Sequence, residues 1–138
     1  MSYWLVKSEP GSWSWDQQVA AGAKGTAWTG VRNHTAKQNL QKMKKGDRAF
    51  YYHSNEGKEI VGVVEVIREQ HPDPTAEADE PWVVVDVKAV EPLQKPVTLG
   101  DAKAEPRLKA MALVNNMRLS VQPVTADEWK AVCKMGGL

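Results

Sequence analysis

The chain has 138 residues, 42% apolar and 25% charged, with a formal net charge of +1. This length supports one domain with its own core, and the near-neutral charge excludes a protein that holds nucleic acid mainly by neutralising phosphates. The lone Cys133 excludes an internal disulfide, and no apolar run approaches the ~20 residues of a membrane helix.

"YWLVK" (3–7) is rich in β-formers and reads as a buried first strand, ended by the Pro and Gly of "SEPGSW". Ser14 opens a short helix, "WDQQVAAG", with Gln17 at the capping-box position and Gly22 as its stop. "AKGTAWTGVRN" (23–33) reads as irregular. A second helix follows, with Ala36, Leu40 and Met43 on one face, Asn33 or Thr35 as N-cap, and Gly46 at the end. "RAFYYHS" (48–54) and "IVGVVEVIRE" (60–69) form a hairpin across the turn "NEGKE", with Gly62 marking a bulge or a close backbone approach.

Residues 71–81, with three Pro and four acids, read as a mobile polar loop. Residues 82–93 form a further strand, with Val83, Val85, Val87 and Ala89 on one face and Asp86 and Lys88 on the other. Short helical turns broken by Pro106 come next, then a last strand in "MRLSVQPV". Thr125 and Glu128 cap a final helix whose Trp129, Val132 and Cys133 share a face. Strands in mixed order with helices between them make an α+β domain over 1–138, in the form of a small twisted barrel.

Charge is uneven along the chain. Residues 1–60 hold nine Lys/Arg against five Asp/Glu, and residues 61–138 hold nine against twelve. The start of the chain lacks the basic and apolar runs of an export signal, which points to the cytoplasm. His34, His53 and His71 are scattered outside any metal-ligand spacing, so no metal is expected, and no phosphate-loop or dinucleotide motif calls for a cofactor. His53 and Ser54 are neighbours on a strand and point to opposite faces, which argues against a dyad, and no GxSxG elbow is present.

Three polar-aromatic clusters remain: "KSEP" (7–10), "WTGVRN" (28–33) and "YYHS" (51–54). Each sits at a strand end or helix start, where backbone donors are free. Trp28 offers a stacking face, Arg32 and Asn33 sit at a helix N-terminus, and Ser8, Glu9, Asn33 and Ser54 supply donors and acceptors for a base edge. The same residues also fit a plain structural reading: Trp28 as core, Glu9–Arg32 as a salt bridge, Asn33 as a cap. The pattern alone leaves both open.

"YWLVKSEP", "AWTGVRN" with its helix ending "MKKGD", "FYYHSNEGKEIVGVVEV", "WVVVDVKAV" and "MRLSVQPVTADEW" together, in this order, resemble the EVE domain family. The chain looks like the small bacterial relatives of the thymocyte nuclear protein family, which lack a basic N-terminal extension. The resemblance implies a PUA-like curved or open β-barrel flanked by short helices. It is similar to YTH domains, readers of methylated adenine through an aromatic cage. It implies a non-enzymatic domain that reads a modified cytosine or adenine in DNA or RNA. The implied pocket holds Lys7, Ser8, Glu9, Trp28, Gly30, Val31, Arg32, Asn33, Tyr52, His53 and Ser54. Further cage tryptophans are not evident at the YTH positions, which favours a smaller pocket. Lys37, Lys44 and Arg118 are candidates for phosphate contacts, and a monomer is expected. Two other readings stand. A nucleotide-directed hydrolase or transferase would use His53 or Glu9 as base and needs a nucleophile within hydrogen-bond reach. A protein-interaction domain needs an exposed apolar patch.

Overall fold

In a computed structural model describing residues 1–138, six strands form one mixed sheet in the order β2–β5–β4–β3–β1–β6. The strands are β1 (Tyr3–Ser8), β2 (Thr26–Ala27), β3 (Arg48–His53), β4 (Glu59–Pro72), β5 (Val83–Thr98) and β6 (Val121–Val124). The helices are α1 (Trp15–Ala20), α2 (His34–Lys42), α3 (Leu99–Ala104), α4 (Ala112–Asn115) and α5 (Ala126–Met135). Only β1 and β3 pair in parallel, with α1 and α2 in the crossover that a parallel pair requires.

The two-residue period of the central strands divides the core. Trp4, Val6, Ala49 and Tyr51 face one side, where Ala36, Leu40 and Met43 of α2 cover them. Leu5, Phe50 and Tyr52 face the other, under Leu99, Ala102, Leu113 and Val132 from the C-terminal helices. On that side Trp129 is sandwiched between Tyr3 (4.5 Å) and Phe50 (3.9 Å), both stacked at 17°. Each such pair adds about 0.5–1.5 kcal/mol beyond its burial. Val132 is fully buried and Trp129 and Cys133 pack beside it, the helix face expected from spacing.

The capping boxes at Ser14/Gln17 and Thr125/Glu128 both form, and Asn33, rather than Thr35, caps α2. The sheet is open, in keeping with the curved or open barrel that the resemblance implies, with β2 and β6 as its edges. Two expectations are corrected. Residues 26–27, read as irregular, form a short strand on β5. Both long strands run past their expected ends, β4 to Pro72 and β5 to Thr98. They do so through repeated register shifts, bulges that bend the pair and extend it beyond the apolar stretch.

Gly62 serves in both of its anticipated roles. The β4–β5 register shifts between Ile60 and Gly62, and a Cβ at Gly62 would lie 2.3 Å from the Trp15 ring. That close approach seats α1 against the sheet.

Candidate functional site

The largest cavity, about 490 Å³, opens where β1 and β2 end, and lies within the ~300–1,000 Å³ range of small-ligand sites. Lys7, Ser8, Ser12, Trp13, Thr26, Ala27, Trp28 and Thr29 line it. It is therefore a slot with two tryptophans, three hydroxyl side chains besides Ser8, and one cation.

The wall carrying Trp13 is pinned by residues from three directions. The Trp13 carbonyl accepts the Ser8 hydroxyl (2.7 Å) and the Tyr51 hydroxyl (2.6 Å). The Trp13 indole N–H donates to Oε1 of the buried Gln18 (2.9 Å), which in turn donates to the Val87 carbonyl (3.2 Å). His53 Nε2 accepts the Trp15 backbone N–H (3.1 Å). The Tyr51 ring packs edge-on against Trp15 (5.4 Å) and Trp28 (5.5 Å). Burial pushes the Tyr51 hydroxyl up to about 12, against the opposing pull of its Ser8 contact, so it stays a neutral donor.

The part of the lining formed by Trp28–Thr29 is held from the segment after β4. The Asp73 side chain is fully buried. Its carboxylate accepts the Gly30 N–H (3.0 Å), Arg32 Nη1 (3.0 Å), and both the N–H and hydroxyl of Thr75 (2.7 Å each). Burial alone would raise its pKa, but these donors overcome it and hold the carboxyl at about 2. Residues 71–81 are thus anchored at Asp73 where the sequence suggested a mobile loop. Arg32 also reaches Thr75 (3.1 Å) and lies over the Trp82 ring at 5.7 Å.

The candidate residues separate accordingly. Lys7, Ser8 and Trp28 line the cavity together. Val31 is core, Asn33 caps α2, and Arg32 is turned to Asp73. Gly30, with φ +86°, makes the turn that presents its N–H to Asp73. The suggested Glu9–Arg32 salt bridge is absent: Glu9 accepts from Asn55 (2.7 Å) instead. Tyr52 points to the opposite face of the sheet from Tyr51 and is buried in the second core. With Lys7, Ser54, Asn55, Lys58 and Met117 it lines a separate cavity of about 210 Å³. Lys44 sits near Glu69 (4.0 Å), away from both cavities, and Lys37 lies on α2. Arg118 is exposed, one residue beyond Met117.

Trp13, Ser12, Thr26 and Thr29 line the cavity without having been singled out from sequence. The signal for Trp13 was the unusual "SWSW" after a Pro-Gly turn. Lys7 is half-buried; its ammonium donates to the Met117 carbonyl and stands 5.6 Å from the Tyr52 ring. Burial lowers its pKa, and burial likewise lowers that of His53, against the pull of Glu59 and Asp16. His53 is thus held neutral as an acceptor, and neither it nor Glu9 bonds a nucleophile. No three His, Cys, Asp or Glu side chains cluster as a metal site would need. No helix is long and apolar enough to cross a membrane. The exposed large apolar side chains, Met1, Val19, Val90, Met117 and Leu138, come from five separate segments.

Comparison with known proteins places this geometry in context. The EVE domain profile matches residues 2–135. The solved structure of a protein from Rhodopseudomonas palustris is 69% identical, with a TM-score of 0.94 over 99% of this chain and 94% of that one. Human thymocyte nuclear protein 1 is 33% identical over 97% of this chain and 73% of its own length. Its structure in complex with DNA containing 5-methylcytosine superposes with a TM-score of 0.91 at 31% identity, covering 100% of this chain and 99% of that one. A YTH domain from Zygosaccharomyces rouxii, solved with N6-methyladenosine RNA, shares the fold at 17% identity and a TM-score of 0.59, over 98% of this chain and 86% of that one.

Proposed function

This chain belongs to the EVE domain family, and from that premise we propose that it binds nucleic acid and reads a modified base, 5-methylcytosine in DNA foremost, in the Trp13–Trp28 cavity. The observation that carries this reading is the cavity itself: two tryptophans and four hydroxyl side chains in its lining, with the segments that carry Trp13 and Trp28 both pinned by hydrogen bonds. The human relative's complex with DNA containing 5-methylcytosine supports the choice of base.

A base leaving a duplex loses a few kcal/mol of stacking and pairing. Stacking on an aromatic face returns about 1–3 kcal/mol, and a 5-methyl group adds apolar contact with the indoles. Preorganisation matters here because a wall that must order on binding would subtract from that gain. The near-zero net charge leaves little nonspecific attraction to make up a shortfall, so discrimination falls to the pocket.

His53 and Glu9 serve in this reading as supports of the Trp15 and Asn55 segments, and the domain acts by binding rather than by catalysis.

The test is titration of matched DNA duplexes, one carrying a single 5-methylcytosine, with wild type and Trp13→Leu. Leu keeps apolar bulk but removes the stacking face. Wild type should prefer the methylated duplex, and the substitution should weaken that binding about 5- to 150-fold, the equivalent of 1–3 kcal/mol. Equal affinity for both duplexes, unchanged by Trp13→Leu, overturns the reading.

A further inference from the structure

The second cavity shares one residue with the first, and that residue is a lysine. Lys7 lines the tryptophan slot, yet its ammonium is drawn to the Met117 carbonyl and the Tyr52 ring, both on the far side of the β1–β3 strand ends. Consecutive sites on a nucleic-acid strand need this kind of junction, with a cation between a base-sized slot and a neighbouring recess.

The recess has the chemistry of a nucleotide's non-base parts. Lys7, Lys58, Ser54 and Asn55 line it with Tyr52, Leu99, Leu113 and Met117; no acidic side chain is in the lining, and the Asn55 amide donates outward to Glu9 (2.7 Å). Met117, 48% exposed, offers an apolar edge suited to a sugar or a stacked base. Its volume, about 210 Å³, is less than half that of the tryptophan slot. Lys58 is exposed, forms no salt bridge, and is fixed in direction by a left-handed backbone (φ 48°) whose carbonyl accepts the Leu99 N–H (2.8 Å). A non-glycine residue in that conformation is uncommon, and here the hairpin turn Asn55–Lys58 holds the side chain beside the recess. Arg118, the residue after Met117, is exposed.

We propose that the Lys7–Tyr52–Ser54–Lys58 recess binds the phosphodiester and sugar of the nucleotide adjoining the base held between Trp13 and Trp28, with Lys7 bridging the two sites. The inference rests on the base-reading proposal above and adds to it the path of the strand.

The experiment uses the full chain and DNA duplexes with one 5-methylcytosine, in which one flanking phosphate at a time is replaced by a neutral methylphosphonate. Lys58→Asn is the variant, since Asn tolerates a left-handed backbone. One phosphate contact contributes about 0.9 to the slope of log K against log salt, or roughly five-fold in affinity at 0.15 M salt. Lys58→Asn and one of the two methylphosphonates should each lower the slope by about that amount. Combining them should cost no more than either alone, as expected when both remove the same contact. The preference for methylated over unmethylated DNA should survive Lys58→Asn. Strict additivity, or a slope that Lys58→Asn leaves unchanged, overturns the strand path. A wild type that binds DNA with this slope behaviour but ignores methylation overturns base reading and leaves the phosphate contact standing.

Discussion

Replacing Asp73 with Asn should be the most damaging single-atom change on the pocket's periphery. The carboxylate is fully buried and serves two clients through separate oxygens: Thr75 on Oδ1, and Gly30 and Arg32 on Oδ2. An amide keeps one acceptor. If its oxygen stays with Thr75, an NH2 group faces the Gly30 N–H and the Arg32 guanidinium, and both bonds are lost. A neutral hydrogen bond is worth about 1 kcal/mol and one to a charged group about 1.5–3 kcal/mol. Arg32 is 37% exposed and regains water, which brings the expected loss to about 2–3 kcal/mol. At this chain length that is a fall in Tm of roughly 10 °C. The pH dependence has a definite sign. The folded carboxyl lies at about 2, below its ordinary 3.8, so its contribution is complete above about pH 4 and disappears as pH falls towards 2. Chemical denaturation of wild type and Asp73→Asn at intervals from pH 2 to pH 6 measures this directly. The stability gap should be widest above pH 4 and close towards pH 2. A gap that is flat across that range, or below about 1 kcal/mol throughout, refutes the role assigned to Asp73.

Further outcomes follow from the same contacts. His53 Nε2 must be unprotonated to accept the Trp15 N–H, and its folded pKa lies below the ordinary 6.5. Its contribution is therefore full above pH 6.5 and lost as pH falls below, a slope in stability that His53→Gln should flatten when measured by thermal melts. Gly62→Ala would set a methyl 2.3 Å from the Trp15 ring, and should cost about 1–3 kcal/mol and loosen methylated-DNA binding, as checked by denaturation and titration together. Ser8→Ala removes one of two donors on the Trp13 carbonyl, and should cost about 1 kcal/mol in urea unfolding while Tyr51 keeps the chain folded.

How far the fold and the site could be read in advance depended on range. Caps at Ser14, Asn33 and Thr125 are local: the side chain bonds a backbone N–H three residues on, so composition and spacing suffice. Strand faces are nearly local. The period of two separates Tyr51 from Tyr52, and treating "YYHS" as one cluster overlooked that separation. Asp73 was out of reach. A buried carboxylate requires donors, and these come from Gly30 and Arg32, more than 40 positions away, inside a stretch whose prolines and acids resemble a solvent loop. Trp13 was missed for a related reason, since its bonds to Tyr51 and Gln18 appear only once β1, β3 and α1 are packed together. Ser8 and His53 stood out in the sequence as members of the "KSEP" and "YYHS" clusters. Both fix the segment that carries Trp13 and Trp15, Ser8 while lining the cavity itself and His53 from one step back.

Six tryptophans supply native probes for the central claim. Their indole N–H signals, assigned by single Trp→Phe replacements, can be followed in a 15N–1H correlation spectrum as DNA carrying one 5-methylcytosine is added. Trp4, whose N–H bonds Asp47 (3.1 Å), and Trp129, stacked in the second core, stand outside the cavity lining. If a modified base enters the slot, Trp13 and Trp28 shift strongly, more with methylated than unmethylated DNA, while Trp4 and Trp129 hold still. Shifts confined to tryptophans outside the slot, or equal for both DNAs, would contradict the account.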